Sequence, residues 1–240
     1  MKLVFLGTRG YIEPRTERHY RHSTTLVQYR GRGIALDCGE DWLGLVAGWR
    51  VQGIFVTHAH PDHAWGLKEG APCPVYATAD SWEAMRNFVV EERRVVAPRA
   101  PVEVEGIRVE AFPVEHSTRA PAVGYRVSAG RASIFYVPDV VYIIDRAEAL
   151  GGVDVYVGDG ATIVRSMVRK PGERLIGHSP IRTQLGWCQK EGVRRAIFTH
   201  CGSAIVAADP EEVAAQVNQL AQERGVQAQI AYDGMEVVLR

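Results

Sequence analysis

Ile54-Phe55-Val56-Thr57-His58-Ala59-His60-Pro61-Asp62-His63-Ala64 is the stretch on which the reading of this chain turns. An apolar run, Ile54 to Val56, ends in a segment that places three imidazoles and one carboxylate in six consecutive positions. A short buried strand would deliver its last residues to a sheet edge. Pro61 suits the first turn of a helix, and Asp62 and His63 then point back from that turn. One tight corner thereby offers ligands to two neighbouring metals. Imidazole nitrogen and carboxylate oxygen suit zinc, manganese or iron, and the lack of cysteine in the corner argues for an open, water-carrying site over a closed structural zinc. A single histidine here would read as a surface or capping residue, and Asp62 alone as a helix N-terminal carboxylate. Four such residues together at a strand end do not read that way.

The 240 residues carry no Gly/Ser-rich linker, no block of like charges and no fixed-period repeat, and are read as one domain, residues 1–240. Lys plus Arg balance Asp plus Glu at 28 each, so no overall field draws the chain to nucleic acid or an anionic membrane. The cysteines Cys38, Cys73, Cys188 and Cys201 are scattered with no C-x-x-C pair, so disulfides are not expected. Leu3 to Leu6 is too short for the apolar core of a signal peptide, and the expected location is cytoplasmic.

His58-x-His60-x-Asp62-His63 resembles the signature of the metallo-β-lactamase-fold hydrolases. The resemblance extends over nearly the full length. Asp37-Cys38-Gly39, after a predicted strand at Gly33–Leu36, is similar to the family's early motif, whose aspartate supports the metal loop by hydrogen bonds without ligating. His116 follows the strand predicted to end near Phe112, and Asp139 follows Ile134 to Pro138. In this order they resemble the family's third histidine ligand and its metal-bridging aspartate. His200 ends the apolar run Ala196 to Thr199. The resemblance implies a four-layer αββα sandwich of α+β class. It implies that His58, His60 and His116 hold one divalent ion, that Asp62, His63 and His200 hold a second, and that Asp139 bridges them around a hydroxide. Zinc and manganese are the expected ions, with iron a further candidate. That chemistry is hydrolysis.

Which bond breaks is a separate question, because fold does not settle it. Pro121-Ala122-Val123-Gly124-Tyr125-Arg126 and Gly177-His178-Ser179 look like the phosphodiesterase side of the family, the cyclic phosphodiesterases and tRNA 3′-processing endonucleases. The resemblance implies that His178 faces the scissile phosphate as general acid, with Asp159 orienting it and Asp62 in the catalytic cluster. Only 38 residues separate Asp139 from His178, and the chain has no insertion the size of the tRNA-gripping arm. A small cyclic phosphodiester is therefore favoured over RNA, with RNA 3′-end cleavage as first alternative and acyl hydrolysis of the lactonase or thioesterase type as second.

Two basic loops stay open between readings. Gly7–Ser23 carries Arg9, Arg15, Arg18 and Arg21, and is either a solvated loop or a substrate-binding rim that collects anions through Arg15, Arg18 and Arg21. Ala161–Ile176 carries Arg165, Arg169, Lys170 and Arg174, and is either a basic flap over substrate or a plain connection. The apolar face Trp42–Trp49 is either core or the contact of a homodimer. Helices are expected at Ser81–Glu92, where Trp82, Met85, Phe88 and Val89 fall at helical spacing and Trp82, Met85 and Phe88 are read as core, at Ile181–Lys190 and at Glu211–Arg224. A closing hairpin is expected around Asp233-Gly234.

Overall fold

The computed structural model describes residues 1–239. In chain order the strands are β1 Lys2–Gly7, β2 Thr24–Tyr29, β3 Arg32–Leu36, β4 Ile54–Phe55, β5 Val75–Ala77, β6 Arg93–Val95, β7 Val102–Val104, β8 Ile107–Glu115, β9 Ala122–Ala129, β10 Ala132–Tyr136, β11 Tyr142–Ile143, β12 Val155–Asp159, β13 Arg195–Thr199, β14 Gln227–Ile230 and β15 Glu236–Val238. The helices are α1 Pro61–Ala64, α2 Ala79–Ala84, α3 Arg146–Leu150, α4 Ile181–Glu191, α5 Ser203–Val206 and α6 Pro210–Gln222. Among the described residues the strands form two sheets. One runs β15-β1-β2-β3-β4-β5-β6; the other runs β11-β8-β9-β10-β12-β13-β14, with β7 also on β8.

The order of layers follows from which side chains each strand turns to which face. In β10, Ile134 and Tyr136 face the other sheet, and Phe135 faces the helices; in β12, Val155 and Val157 alternate with Tyr156 in the same way. Both faces of these strands are buried, which is why they read as unbroken apolar runs. Leu3, Phe5, Val27 and Ile34 of the first sheet meet Val109, Tyr125, Val127 and Ile197 of the second in the inter-sheet core. Leu150, Ile181, Leu185, Val213 and Val217 of α3, α4 and α6 cover the second sheet, and Trp42, Leu67, Trp82 and Met85 cover the first. The expected four-layer αββα sandwich is what forms.

The β2–β3 hairpin turns at Arg30 and Gly31, with φ of 49° and 78°. That left-handed pair matches the right-handed twist of the strands it joins. Two expectations fail. The helix expected at Ser81–Glu92 spans only Ala79–Ala84, and its cap is Thr78, whose Oγ1 accepts the Ser81 N–H at 3.2 Å. Val89 is 66% exposed, because the chain leaves the helix at Met85 to feed β6 into the sheet. The closing hairpin does not form either. β14 lies parallel to β13 in the second sheet and β15 antiparallel to β1 in the first, so Asp233-Gly234 is a crossing between sheets. The Trp42–Trp49 face divides: Trp42 and Val46 are buried, and Leu43 and Leu45 are exposed.

Candidate metal centre

The proposed centre gathers at and just past the C-terminal ends of five strands. His58 follows β4, His116 follows β8, Asp139 follows β10, Asp159 is the last residue of β12, and His200 follows β13. β4 is short, and Pro61 at the first position of α1 stops the extended chain at His60, whose φ of −70° and ψ of 156° are those of a helix cap. Asp62 and His63 fall in the single turn that follows. The corner is pinned from outside. Gly39 passes so close that a Cβ there would stand 2.3 Å from the Asp62 carbonyl oxygen.

Three imidazole nitrogens converge from separate segments: His58 Nε2 is 2.9 Å, and His116 Nε2 3.3 Å, from His60 Nδ1. Asp139 Oδ2 lies 3.3 Å from His58 Nε2 and 3.1 Å from His116 Nε2. Four donors bound tetrahedrally at about 2.05 Å from one ion stand about 3.3 Å apart, so these separations suit a common metal. A second group adjoins it. Asp62 Oδ2 lies 3.3 Å from His63 Nε2 and 3.0 Å from His200 Nε2, and Asp139 Oδ1 lies 2.8 Å from His200 Nδ1. Among the described residues, His63 Nε2, Asp139 Oδ1 and His200 Nδ1 are buried without a hydrogen bond, the condition expected of atoms that serve a cation.

The surrounding bonds decide which nitrogen each ring offers. His116 Nδ1 donates to the Gly177 carbonyl at 3.0 Å, so its Nε2 presents a lone pair. His63 Nδ1 donates to Asp37 Oδ2 at 2.9 Å, which turns Nε2 inward. Asp37 also accepts the Thr57 N–H at 2.7 Å and the Tyr136 hydroxyl at 3.3 Å, which ties His63 to the start of the loop. Burial, with His63 second, pushes His58 well below its ordinary pKa, and burial brings His60 down to about 4. Both are therefore neutral donors. Burial opposes ionisation of Asp62 and Asp139, but the imidazoles facing them override it and hold both carboxyls well below the usual range.

His178 stands beside this centre, its ring stacked on that of His200 with centroids 5.5 Å apart. Its Nδ1 donates to Asp159 Oδ2 at 2.8 Å. Burial alone would lower His178, but the Asp159 carboxylate outweighs it and holds the imidazole above its ordinary pKa. Asp139, Asp159, His178 and His200 also lie close enough to share a cation. The oxygens of Asp159 are, however, already taken by the N–H groups of Val140 and Ala161 as well as by His178.

The cleft over these residues has a volume of about 510 Å³. Tyr11, Ile12, Arg165 and Met167 line its mouth, so the loop after β12 reaches the site, with Arg165 as its cation there. Arg15, Arg18 and Arg21 do not line it, against the expectation of a substrate-binding rim. Arg15 pairs with Asp41 at 3.0 Å, Arg18 lies over the Tyr232 ring, and Arg21 lies over the Trp42 ring. Asp41 also binds the buried Arg9 guanidinium at 2.7 Å, so this loop spends its positive charge internally. A larger hollow, about 780 Å³ between Leu26, Trp42 and Trp49, contains no ligating side chain. The hydroxyl groups of Thr57, Tyr125 and Tyr136 also hold this loop, a role the sequence does not announce: Tyr125 stands in the Pro121–Arg126 stretch, and Tyr136 sits in an apolar strand run with nothing local to mark it.

The family described as the beta-lactamase superfamily domain matches residues 32–201. The chain is 30% identical to the ribonuclease Z of Methanopyrus kandleri over 236 residues, covering 85% of this chain and 81% of that one. It is 33% identical to the ribonuclease Z of Kineococcus radiotolerans over 159 residues, 60% of this chain, and there spans about half of the relative's length, 47%. Among solved structures, the metallo-beta-lactamase fold protein YhfI of Bacillus subtilis superposes with a TM-score of 0.75 at 14% identity, over 98% of each chain. Among the described residues no helix is long and apolar enough to cross a membrane.

Proposed function

The chain belongs to the beta-lactamase superfamily, and from that premise we propose that it is a dinuclear metal-dependent phosphodiesterase acting on a small, cyclic phosphodiester. The observation that carries this reading is the His178–Asp159 pair at 2.8 Å, standing next to two groups of metal-ligating side chains. His58, His60, His116 and Asp139, with Asp62, His63 and His200 beside them, would hold two divalent cations, which when bound would supply Lewis-acid activation of water and offset phosphoryl charge. The chain itself supplies the other half of the reaction. An alkoxide leaves poorly unless it is protonated as it departs, and a positioned acid contributes about a hundredfold or more. Bonded to Asp159 through Nδ1, His178 has Nε2 left to deliver that proton. Acyl substrates have less use for such a group, which weighs against the lactonase and thioesterase readings.

The cleft volume suits a small molecule. RNA 3′-end cleavage is the second reading, supported by relatives named ribonuclease Z at 30% and 33% identity. The test is hydrolysis of bis(p-nitrophenyl) phosphate, a cyclic nucleotide, an RNA with a 3′ extension, p-nitrophenyl acetate and a lactone by protein loaded separately with zinc and manganese. Metal-dependent turnover of the diesters, and a loss of about a hundredfold in His178→Ala on the cyclic nucleotide with bound metal unchanged, is expected. Turnover of the acyl substrates alone overturns the proposal, and preference for the RNA transfers it to the second reading.

A further inference from the structure

Gln184, in the first turns of α4, is fully buried. Its Oε1 accepts the Tyr156 hydroxyl and the Asp159 N–H, each at 2.9 Å. Its Nε2 donates to the Asp159 carbonyl at 2.7 Å and the Ser179 carbonyl at 2.8 Å. A side-chain amide has two donor hydrogens and two acceptor positions, and here all four are used. The orientation admits no flip, since the Asp159 N–H can only donate and the two carbonyls can only accept. Gly158 makes room for the clasp: a Cβ there would stand 2.5 Å from Gln184 Oε1 and 2.2 Å from the Tyr156 ring.

The two segments joined in this way are those that carry Asp159 and His178. The His178–Asp159 bond spans the end of β12 and the loop before α4, which share no strand pairing at this point. We infer that Gln184 is a positioning residue for the leaving-group step, holding Asp159 and Ser179 at the separation that keeps His178 Nδ1 on Asp159 Oδ2. This rests on the phosphodiesterase reading. In that step water supplies the oxygen of the new P–O bond. The P–O bond to the leaving group breaks with its electron pair going to the leaving oxygen, and His178 gives that oxygen its proton and recovers one derived from the attacking water. Loss of the clasp lets His178 swing off Asp159 and raises the barrier only where the leaving oxygen needs a proton.

The test compares two diesters that keep the same retained group and differ in leaving group, p-nitrophenolate against a methyl alkoxide, with zinc-loaded wild type, Gln184→Glu, Gln184→Met, Tyr156→Phe, His178→Ala and the Gln184→Met/His178→Ala double variant. The glutamate keeps the shape and loses both donors, and the phenylalanine deletes a single bond of the four should the Gln184 variants fail to fold. The expected result is a loss of about tenfold or more on the methyl ester in the Gln184 variants, and a smaller loss of the same kind in Tyr156→Phe. The nitrophenyl ester should change by no more than about threefold, since nitrophenolate needs little protonation, and zinc per chain should not change. The double variant should be no worse than His178→Ala on the methyl ester, because both act through one group. Equal losses on both esters, or additive losses in the double variant, overturn the inference while leaving the phosphodiesterase reading intact. Wild-type protein that binds zinc and turns over neither ester overturns that reading, and the inference with it.

Discussion

Asp37 carries more of the centre than any other residue that binds no metal. Its φ of 63° is left-handed, a region that asparagine and aspartate enter more readily than most side chains. From there one carboxylate collects the Thr57 N–H, the Thr57 and Tyr136 hydroxyls and the His63 ring N–H. Asp37→Asn keeps the backbone preference but sets an amide N–H₂ against donors. It should weaken binding at the His63 site by about 10- to 100-fold with little effect at the His58, His60 and His116 site, as read by competition with a chelator. Asp37 was legible because it stands at a strand end beside Cys38-Gly39. Its partner Tyr136 was not, because a tyrosine inside an apolar strand gives no local sign of where its hydroxyl ends.

At the scale of elements, a strand buried on both faces has costly substitutions on each of them. Phe135 of β10 is fully buried against Phe112, with ring centroids 5.8 Å apart, among the residues that α4 and α6 cover. Phe135→Ala should cost about 3–5 kcal/mol in urea unfolding, from lost apolar contact and the cavity left behind. Val89→Glu, at an exposed position past the end of α2, should change stability by less than about 0.5 kcal/mol. A cost above about 2 kcal/mol for the glutamate would mean that Val89 is packed after all. Of the residues read as core there, Trp82 and Met85 are buried and Phe88 packs half-buried against the same cluster, although the helix itself ends at Ala84. Competition between one more helical turn and entry into β6 is decided by sheet pairing, which local spacing does not register.

Across the whole molecule, the first polar loop and the crossing at Asp233 tie the two ends of the chain together. Thr8 Oγ1 donates to Asp233 Oδ1 at 2.7 Å and lies 2.8 Å from His19 Nδ1, while Asp233 Oδ2 accepts the N–H groups of Tyr20 and Arg21. Burial, and then the Arg18 charge, lower His19 to about 4 from its ordinary 6.5. Between those values the unfolded chain takes up the proton and the folded one does not. The stability that neutral His19 contributes is therefore present above pH 6.5, falls as pH drops towards 4, and is gone below. In urea unfolding with chelator present, wild type should lose up to about 1.4 kcal/mol per pH unit more than His19→Gln over that window. Parallel profiles would show that His19 titrates freely in the fold.

The sequence alone determined the ligand types, their order and the strand ends that present them, because a histidine-rich corner, a proline at a helix start and apolar runs of strand length are local patterns. The αββα architecture it carried only through the resemblance of those motifs to a known family. Only the tertiary structure decided where the charges of the first loop go, which sheet each C-terminal strand joins, and that Gln184 bonds to Asp159 and Tyr136 to Asp37. Those outcomes depend on bonds between residues up to 238 positions apart, as in Met1 and Leu239, and no spacing along the chain encodes which of several hydrogen-bonding partners a buried polar group will meet.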